Sequence, residues 1–214
     1  MWDNLGRVAA EYPHPRLRTG RVETHGFTHV DRAVAAGRRM IVFSRAYCQL
    51  EDRNACRHPA RDLGRPDLSR RQQSAVGPHD RAVPRGDGGE LIPKGKVAAR
   101  RAIAALRRGT HLTLLADQKM NDGIPVPFFG RPAMTAPAFA VRAVRFDCDV
   151  LPAQVERLDG ARFRLTVFPP LTVTRSGEPR ADAAALMARV NATLEEWIRD
   201  RPEQWLWVHR RWPD

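Results

Sequence analysis

A chain of 214 residues with 43% hydrophobic and 28% charged side chains is long enough to bury a core and is most simply one globular domain. Its 36 Lys and Arg against 24 Asp and Glu give a net charge of +12 and a pI near 11.1, which implies attraction to anions: nucleic acid, an acidic bilayer or a phosphorylated lipid. Cys48, Cys56 and Cys148 have no metal-ligand spacing and an odd count, so neither a zinc site nor a disulfide framework is expected and a reducing compartment is the default.

Lys occurs only at 94, 96 and 119, so the basic charge is almost all Arg. That pattern suggests a GC-rich genome more than a nucleic-acid-binding face. There is no signal peptide and no apolar run of about 20 residues, so the chain as written is not expected to span a membrane, while surface attachment stays open.

Trp2, Leu5, Val8 and Ala9 recur at helical spacing until Tyr12-Pro-His-Pro15 breaks the pattern. Val22 to Phe27 reads as a weak strand, His29 to Ala36 as a short helix ended by Gly37, and Met40 to Phe43 as a buried strand, a βαβ beginning. His25 and His29 flank Gly26 without a third ligand, so they read as a surface pair and not as a metal site. From Ser44 to Gly89 there is no Ile, Phe, Met or Trp, and such a stretch cannot bury enough apolar surface to offset its ordering entropy. A structureless interval this long inside a compact domain signals that something in the assignment is wrong.

Pattern resumes at Glu90. Leu91-Ile-Pro-Lys-Gly95 leads into a helix with Ala99, Ala102, Ile103 and Leu106 on one face, Arg100, Arg101, Arg107 and Arg108 mostly outward, and Gly109 as C-cap. Lys94, in the loop, is the better phosphate candidate. His111 to Ala116 is a nearly continuous apolar run, as for a parallel strand covered on both faces, and Asp117 ends it. A loop with Gln118, Lys119, Asn121, Asp122 and Gly123 runs into Pro125-Val-Pro-Phe-Phe-Gly130. The spacing then predicts a helix from Thr135 as N-cap, with Pro137, Ala140, Val141 and Val144 on its buried face.

Val150 to Val155 is a further strand, Asp159-Gly160 a hairpin signal, and Phe163, Leu165 and Val167 alternate on the returning strand. Asp182 is expected to cap a last helix striped by Leu186, Val190, Leu194, Trp197 and Ile198. Trp205 to Trp212 mixes Trp with Arg, which suits a membrane interface and a packed sheet edge equally. The fold class expected is α/β: a mostly parallel sheet flanked by helices, with polar residues at strand ends where ligands bind in such sheets.

Asp117-Gln-Lys-Met-Asn-Asp-Gly-Ile-Pro-Val-Pro-Phe-Phe-Gly130 could be ordinary turn chemistry, with two Phe rings capping a core. Its order, however, resembles the ADQ and PFFG segments of the bacterial lipid A biosynthesis acyltransferases, the lauroyl and myristoyl transferases of the lysophospholipid acyltransferase superfamily. Leu91 to Gly95 resembles that family's LIPKG, and Gln204 to Trp212 its closing QWLWxHRRW. The likeness is close over 90 to 214 and loose over 1 to 43. In the family, a sequence like Trp2 to His14 follows a membrane helix, which implies that Met1 is an internal start lacking that anchor.

The resemblance implies a fold of the lysophospholipid acyltransferase type and transfer of a fatty acyl group from an acyl carrier protein or CoA thioester to a hydroxyl of a lipid A precursor. It implies work at the cytoplasmic face of the inner membrane, no cofactor, no metal and no nucleic acid partner. Asp117, Gln118, Phe128, Phe129, Gly130 and Thr135, with Lys94, fall on segments implied to bind substrate. A His-x4-acid motif should follow the strand at Met40 to Phe43, the His taking the acceptor proton and the acid orienting it. That position falls at Ala46 or Tyr47, neither of which can act as a base near neutral pH, so no catalytic residue is intact. Glu51 lies near the acid's place but has no His to orient, and His58 and His79 are poor replacements.

Reading Ser44 to Glu51 one nucleotide later permits Ala-His-Ile-Ala-Asn-Trp. The same shift permits Ala-Asn-Asn-Pro-Leu over Arg71 to Val76 and Met-Ile-Ala-Arg-Phe-Arg-Gly over His79 to Gly86. These are family-like phrases in order, so 44 to 89 is read as a frameshifted interval within one domain. The competing class of function is a non-enzymatic, Arg-rich module binding nucleic acid or acidic membrane; with Tyr47 alone as an aromatic, the interval lacks the interleaved rings that nucleic-acid binding favours.

Overall fold

The computed structural model describes residues 22–46, 65–66, 96–160, 162–206 and 211–212. In chain order these form β1 (Val22–His25), α1 (Thr28–Ala35), β2 (Met40–Ser44), β3 (Arg65–Pro66), α2 (Lys96–Arg107), β4 (Leu112–Leu115), β5 (Lys119–Phe128), β6 (Arg131–Thr135), α3 (Ala138–Phe146), β7 (Asp149–Arg157), β8 (Phe163–Val167) and α4 (Pro179–Asp200), with a 3-10 turn at Pro202–Gln204.

Six strands make one sheet in the order β1-β8-β7-β2-β4-β3. All neighbours are parallel except the β7–β8 pair, which Asp159-Gly160 turns back on itself with Gly160 at φ 67°. The mostly parallel α/β sheet expected from the pattern is therefore present. The continuous apolar runs follow from coverage of both faces. Met40 and Val42 face α1 through Val30 and Ala33 together with Leu151 and Leu165. Ile41 and Phe43 face the opposite way, into a core shared by Leu106, Phe139, Ala143, Leu186 and Trp197 from α2, α3 and α4. Phe43 is fully buried and stacks at 6.4 Å on Phe139 and 6.2 Å on Trp197. Truncating a ring so placed costs about 3–5 kcal/mol.

Sequence and structure part at four places. Lys119–Phe128 and Arg131–Thr135 are not loop but a two-stranded antiparallel hairpin, separate from the main sheet. Pro125 and Pro127 argued for a loop; with Pro132 they lie in a two-stranded ladder whose strands are both edges, and an edge tolerates Pro. Its turn has Phe129 at φ 51° and Gly130 at φ 72°, a geometry that suits the twist of a hairpin. Thr135 is consequently no N-cap: its backbone pairs in β6, and α3 begins at Ala138 with Pro137 before it. Within α3 the buried residues are Phe139, Ala140 and Ala143, whereas Val141 is 44% exposed. The last helix starts at Pro179, ahead of Asp182, whose Oδ1 instead accepts the Ser176 N–H and hydroxyl just upstream.

The interval read as aberrant is described only at its beginning and at Arg65–Pro66, where a short strand pairs with Leu112 and Thr113. Ser44 continues β2, and Arg45 and Ala46 are buried behind it. At the other end of the strands, Arg39 donates from Nε to the Leu106 carbonyl at 2.9 Å and from Nη1 to the Phe146 carbonyl at 3.3 Å. One guanidinium thus meets the carbonyl ends of α2 and α3 and holds the two helices side by side.

Gly26, at φ 73°, is where β1 turns into α1, and a Cβ there would overlap the Val167 carbonyl oxygen. Gly160, at φ 67°, has open space around it. Gly160→Ala should cost about 1–2 kcal/mol from the left-handed backbone alone, and Gly26→Ala clearly more, read as urea midpoints at unchanged m-value.

Candidate functional site

Asp117 follows the C-terminal end of β4, the end at which open α/β sheets bind ligands. The strand carries its carboxylate inside, where it is 4% exposed. Oδ2 accepts the Ala46 backbone N–H at 2.7 Å and the Trp205 indole N–H at 3.0 Å. Burial raises the carboxyl above its ordinary range, while the indole, the Ala46 amide and the Arg211 charge pull the other way. Oδ1 meets no hydrogen-bond partner among the described residues.

Ala46, which with Tyr47 marks the place where the resemblance sets the general base, has both of its peptide groups fixed. Its N–H goes to Asp117, and its carbonyl accepts the Leu206 N–H at 3.4 Å. Asp117 therefore joins three stretches far apart in sequence: the exit of β2, the exit of β4 and the segment after α4. It is suited to station the backbone from which a catalytic side chain would project.

Thr135 lies wholly buried, its hydroxyl donating to the Ala133 carbonyl at 2.9 Å. The same oxygen accepts Asn191 Nδ2 at 3.5 Å and Arg211 Nη2 at 3.3 Å. Arg211 is fully buried, and that desolvation lowers its pKa against the opposing pull of Asp117. Its guanidinium lies 4.6 Å from the Phe128 ring centroid. Phe128 stacks on Trp212 at 5.8 Å and meets Trp205 edge-on at 6.0 Å. The hairpin turn is pinned as well: Phe129 N–H donates to Glu195 Oε1 at 2.7 Å, and the Trp212 indole donates to the Phe128 carbonyl at 3.0 Å.

Of the residues singled out in the sequence, Asp117, Phe128 and Thr135 come together around Arg211 and Trp205. Phe129 and Gly130 form the hairpin tip, with Phe129 partly buried and Gly130 exposed, and Gln118 is half-buried beside Asp117. Tyr47, Glu51, His58, His79 and Lys94 lie outside the described residues. His25 and His29 sit at the end of β1 and in α1, and no group of three His, Cys, Asp or Glu able to hold a metal occurs among the described residues. Trp205, Arg211, Asn191 and Glu195 were missed as members of the site. The Trp- and Arg-rich close of the chain signalled the first two, but its pattern could not tell a membrane interface from packing; in the structure Trp205 is buried against Asp117 and Trp212 covers the two Phe rings.

Residues 81–214 match the family of bacterial lipid A biosynthesis acyltransferases. The chain belongs to this family, and with it to the enzymes that transfer acyl groups to lipid substrates. The match begins inside the interval read as aberrant. No curated protein matches. Among solved structures, the chain is similar to the 1-acyl-sn-glycerophosphate acyltransferase PlsC from Thermotoga maritima, at 14% identity and a TM-score of 0.44, over 98% of this chain and 81% of that one. No helix among the described residues is long and apolar enough to cross a membrane.

Asp117→Ala should destabilise the fold by about 2–4 kcal/mol, because two buried N–H donors lose their acceptor. Asp117→Asn keeps an acceptor oxygen and changes the pH response. A carboxyl raised by burial binds its proton more tightly folded than unfolded, so its contribution is fully present below the unfolded value of 3.8 and is lost as pH rises towards the folded one. Unfolding free energy measured across that acidic window should show this decline in the wild type and lose it in Asp117→Asn.

Proposed function

We propose that the chain is the scaffold of a lipid A acyltransferase, taking a fatty acyl group from an acyl carrier protein or CoA thioester and giving it to a hydroxyl of a lipid A precursor at the cytoplasmic face of the inner membrane. The observation that carries this reading is the Asp117 junction in a chain of this family: the buried carboxylate holds the amide of Ala46, at the strand exit where the base is expected at position 46 or 47. In the intact arrangement a His there removes the acceptor proton as the oxygen attacks the thioester carbonyl; collapse of the tetrahedral intermediate then breaks the C–S bond, and the imidazolium gives the proton to the departing thiolate. The acid four residues beyond orients the ring, and donors nearby stabilise the oxyanion. Asp117, Gln118, Phe128, Phe129, Gly130 and Thr135 form the acceptor side of the cleft, with Lys94 as phosphate ligand. Burial of Phe128 and Thr135 supports a part in shaping that wall from behind.

The chain as written does not turn over, since Ala46 and Tyr47 supply no base and 44 to 89 is a frameshifted interval of the single domain. Loss of a general base costs about 10² to 10⁴ in rate. An acyl transfer assay on this chain, beside one carrying the displaced reading with its His and acid restored, should differ by at least that factor. Turnover by the unmodified chain within tenfold of the restored one would sink the reading. Resequencing codons 40 to 92 tests the displaced frame directly.

A further inference from the structure

The outer faces of α2 and α3 carry a feature that the acyl-transfer site does not use. On α2, Arg100, Arg101, Arg107 and the following Arg108 are all exposed and fall on one arc of the helix, opposite the buried Ala102, Ala105 and Leu106. On α3, Val141 and Arg145 are exposed opposite the buried Phe139, Ala140 and Ala143. Neither helix contains an Asp or Glu, whereas α4 mixes Asp182, Glu195, Glu196 and Asp200 with its Arg residues. Arg39 ties the ends of α2 and α3 together and both helices pack on the same core, so they lie side by side on one face of the sheet.

We propose that this flank is the surface by which the protein lies on an anionic phospholipid bilayer, with α2 and α3 against the headgroups and Val141 reaching into the interface. The proposal rests on the reading of the chain as an enzyme of membrane lipids, and charge complementarity selects the occupant. Two cationic helices that themselves carry no carboxylate gain attraction from each Arg near an acidic leaflet, and an exposed aliphatic side chain among those Arg residues suits the boundary between headgroup and acyl chain. Exposed Val141 favours a bilayer over nucleic acid, whose phosphates offer an aliphatic group nothing to enter. Both helices run from the end of the sheet that holds Asp117 towards the end that holds Arg39, so a bilayer along the flank also borders the site.

The test is sedimentation of the full chain with vesicles of phosphatidylcholine alone and of phosphatidylcholine and phosphatidylglycerol in equal parts. Wild type should bind the anionic vesicles and lose affinity as ionic strength rises from about 0.05 to about 0.5 M. Each Arg neutralised on the flank should weaken binding about fivefold, so Arg100→Gln, Arg107→Gln and Arg108→Gln together should weaken it roughly 100-fold. Arg32→Gln, Arg162→Gln and Arg180→Gln remove the same charge elsewhere and should change binding less than about threefold. Val141→Trp should bind more tightly, with a blue shift of the added indole emission on meeting anionic vesicles.

Equal losses in the two triple variants, no binding by the wild type, no emission shift, or tighter binding of duplex DNA than of vesicles would each overturn the proposal. Acyl transfer by the frame-restored chain to a detergent-dispersed acceptor needs no bilayer, so failure of the enzymatic reading would be seen separately.

Discussion

A single buried carboxylate holds the functional end of this fold together. Asp117 Oδ2 receives a backbone amide from the exit of β2 and an indole from the segment beyond α4, and strand β4 delivers it between them. Taking a carboxylate out of water is costly, and removing a partner from such a group costs more than the bond itself, because the remaining polar group stays buried and unmatched. The two N–H donors and the nearby positive charge of Arg211 offset part of that cost without cancelling it, which is why the group stays harder to ionise than a free aspartate. A hydrophobic residue would fill the space but would leave the Ala46 and Trp205 donors without an acceptor. The chemistry therefore constrains position 117 to an acceptor.

Around that carboxylate the remainder of the site is built by side chains satisfying backbone groups that the main sheet cannot reach. The β5–β6 hairpin pairs only with itself, so its turn and outer carbonyls look elsewhere: Glu195 takes the Phe129 amide, Asn191 donates to the Pro127 carbonyl, and Trp212 donates to that of Phe128. Aromatic contacts and the Arg211 guanidinium close over Phe128. Helix α4 thus presents its Leu186, Val190 and Leu194 stripe to the core while Asn191 and Glu195, on adjoining positions, fasten the hairpin.

Much of this was legible before any coordinates. Covered parallel strands show as unbroken apolar runs, so the runs Met40 to Phe43 and His111 to Ala116 lie close to the observed strands Met40–Ser44 and Leu112–Leu115. The placement of Asp117 at a strand end followed from where the run stopped. The hairpin was not legible, because two prolines and a Gly are read locally as loop, while permission to use them came from the absence of a neighbouring strand, a fact of tertiary structure. Val141 was assigned to the buried face of α3 with Pro137, Ala140 and Val144, whereas the face that packs on the core is that of Phe139, Ala140 and Ala143. Arg211 and Trp205 were visible as residues but not as partners, since a buried ion and its indole neighbour follow no periodicity. Distances in sequence such as the 88 residues between Asp117 and Trp205 leave no trace in a local pattern.

That sequence separation sets an order of events during synthesis. The hairpin finds its fixing groups 64 residues on for Pro127, 66 for Phe129 and 84 for Phe128. At about 5–20 residues per second on the ribosome, those partners reach it roughly 3 to 17 seconds after its own strands have been made. Throughout that interval Phe128 and Phe129 are uncovered, two adjacent rings on a ribbon with both edges open. The prolines at 125, 127 and 132 then have a second use: they deny those edges the amides with which a neighbouring nascent chain could pair.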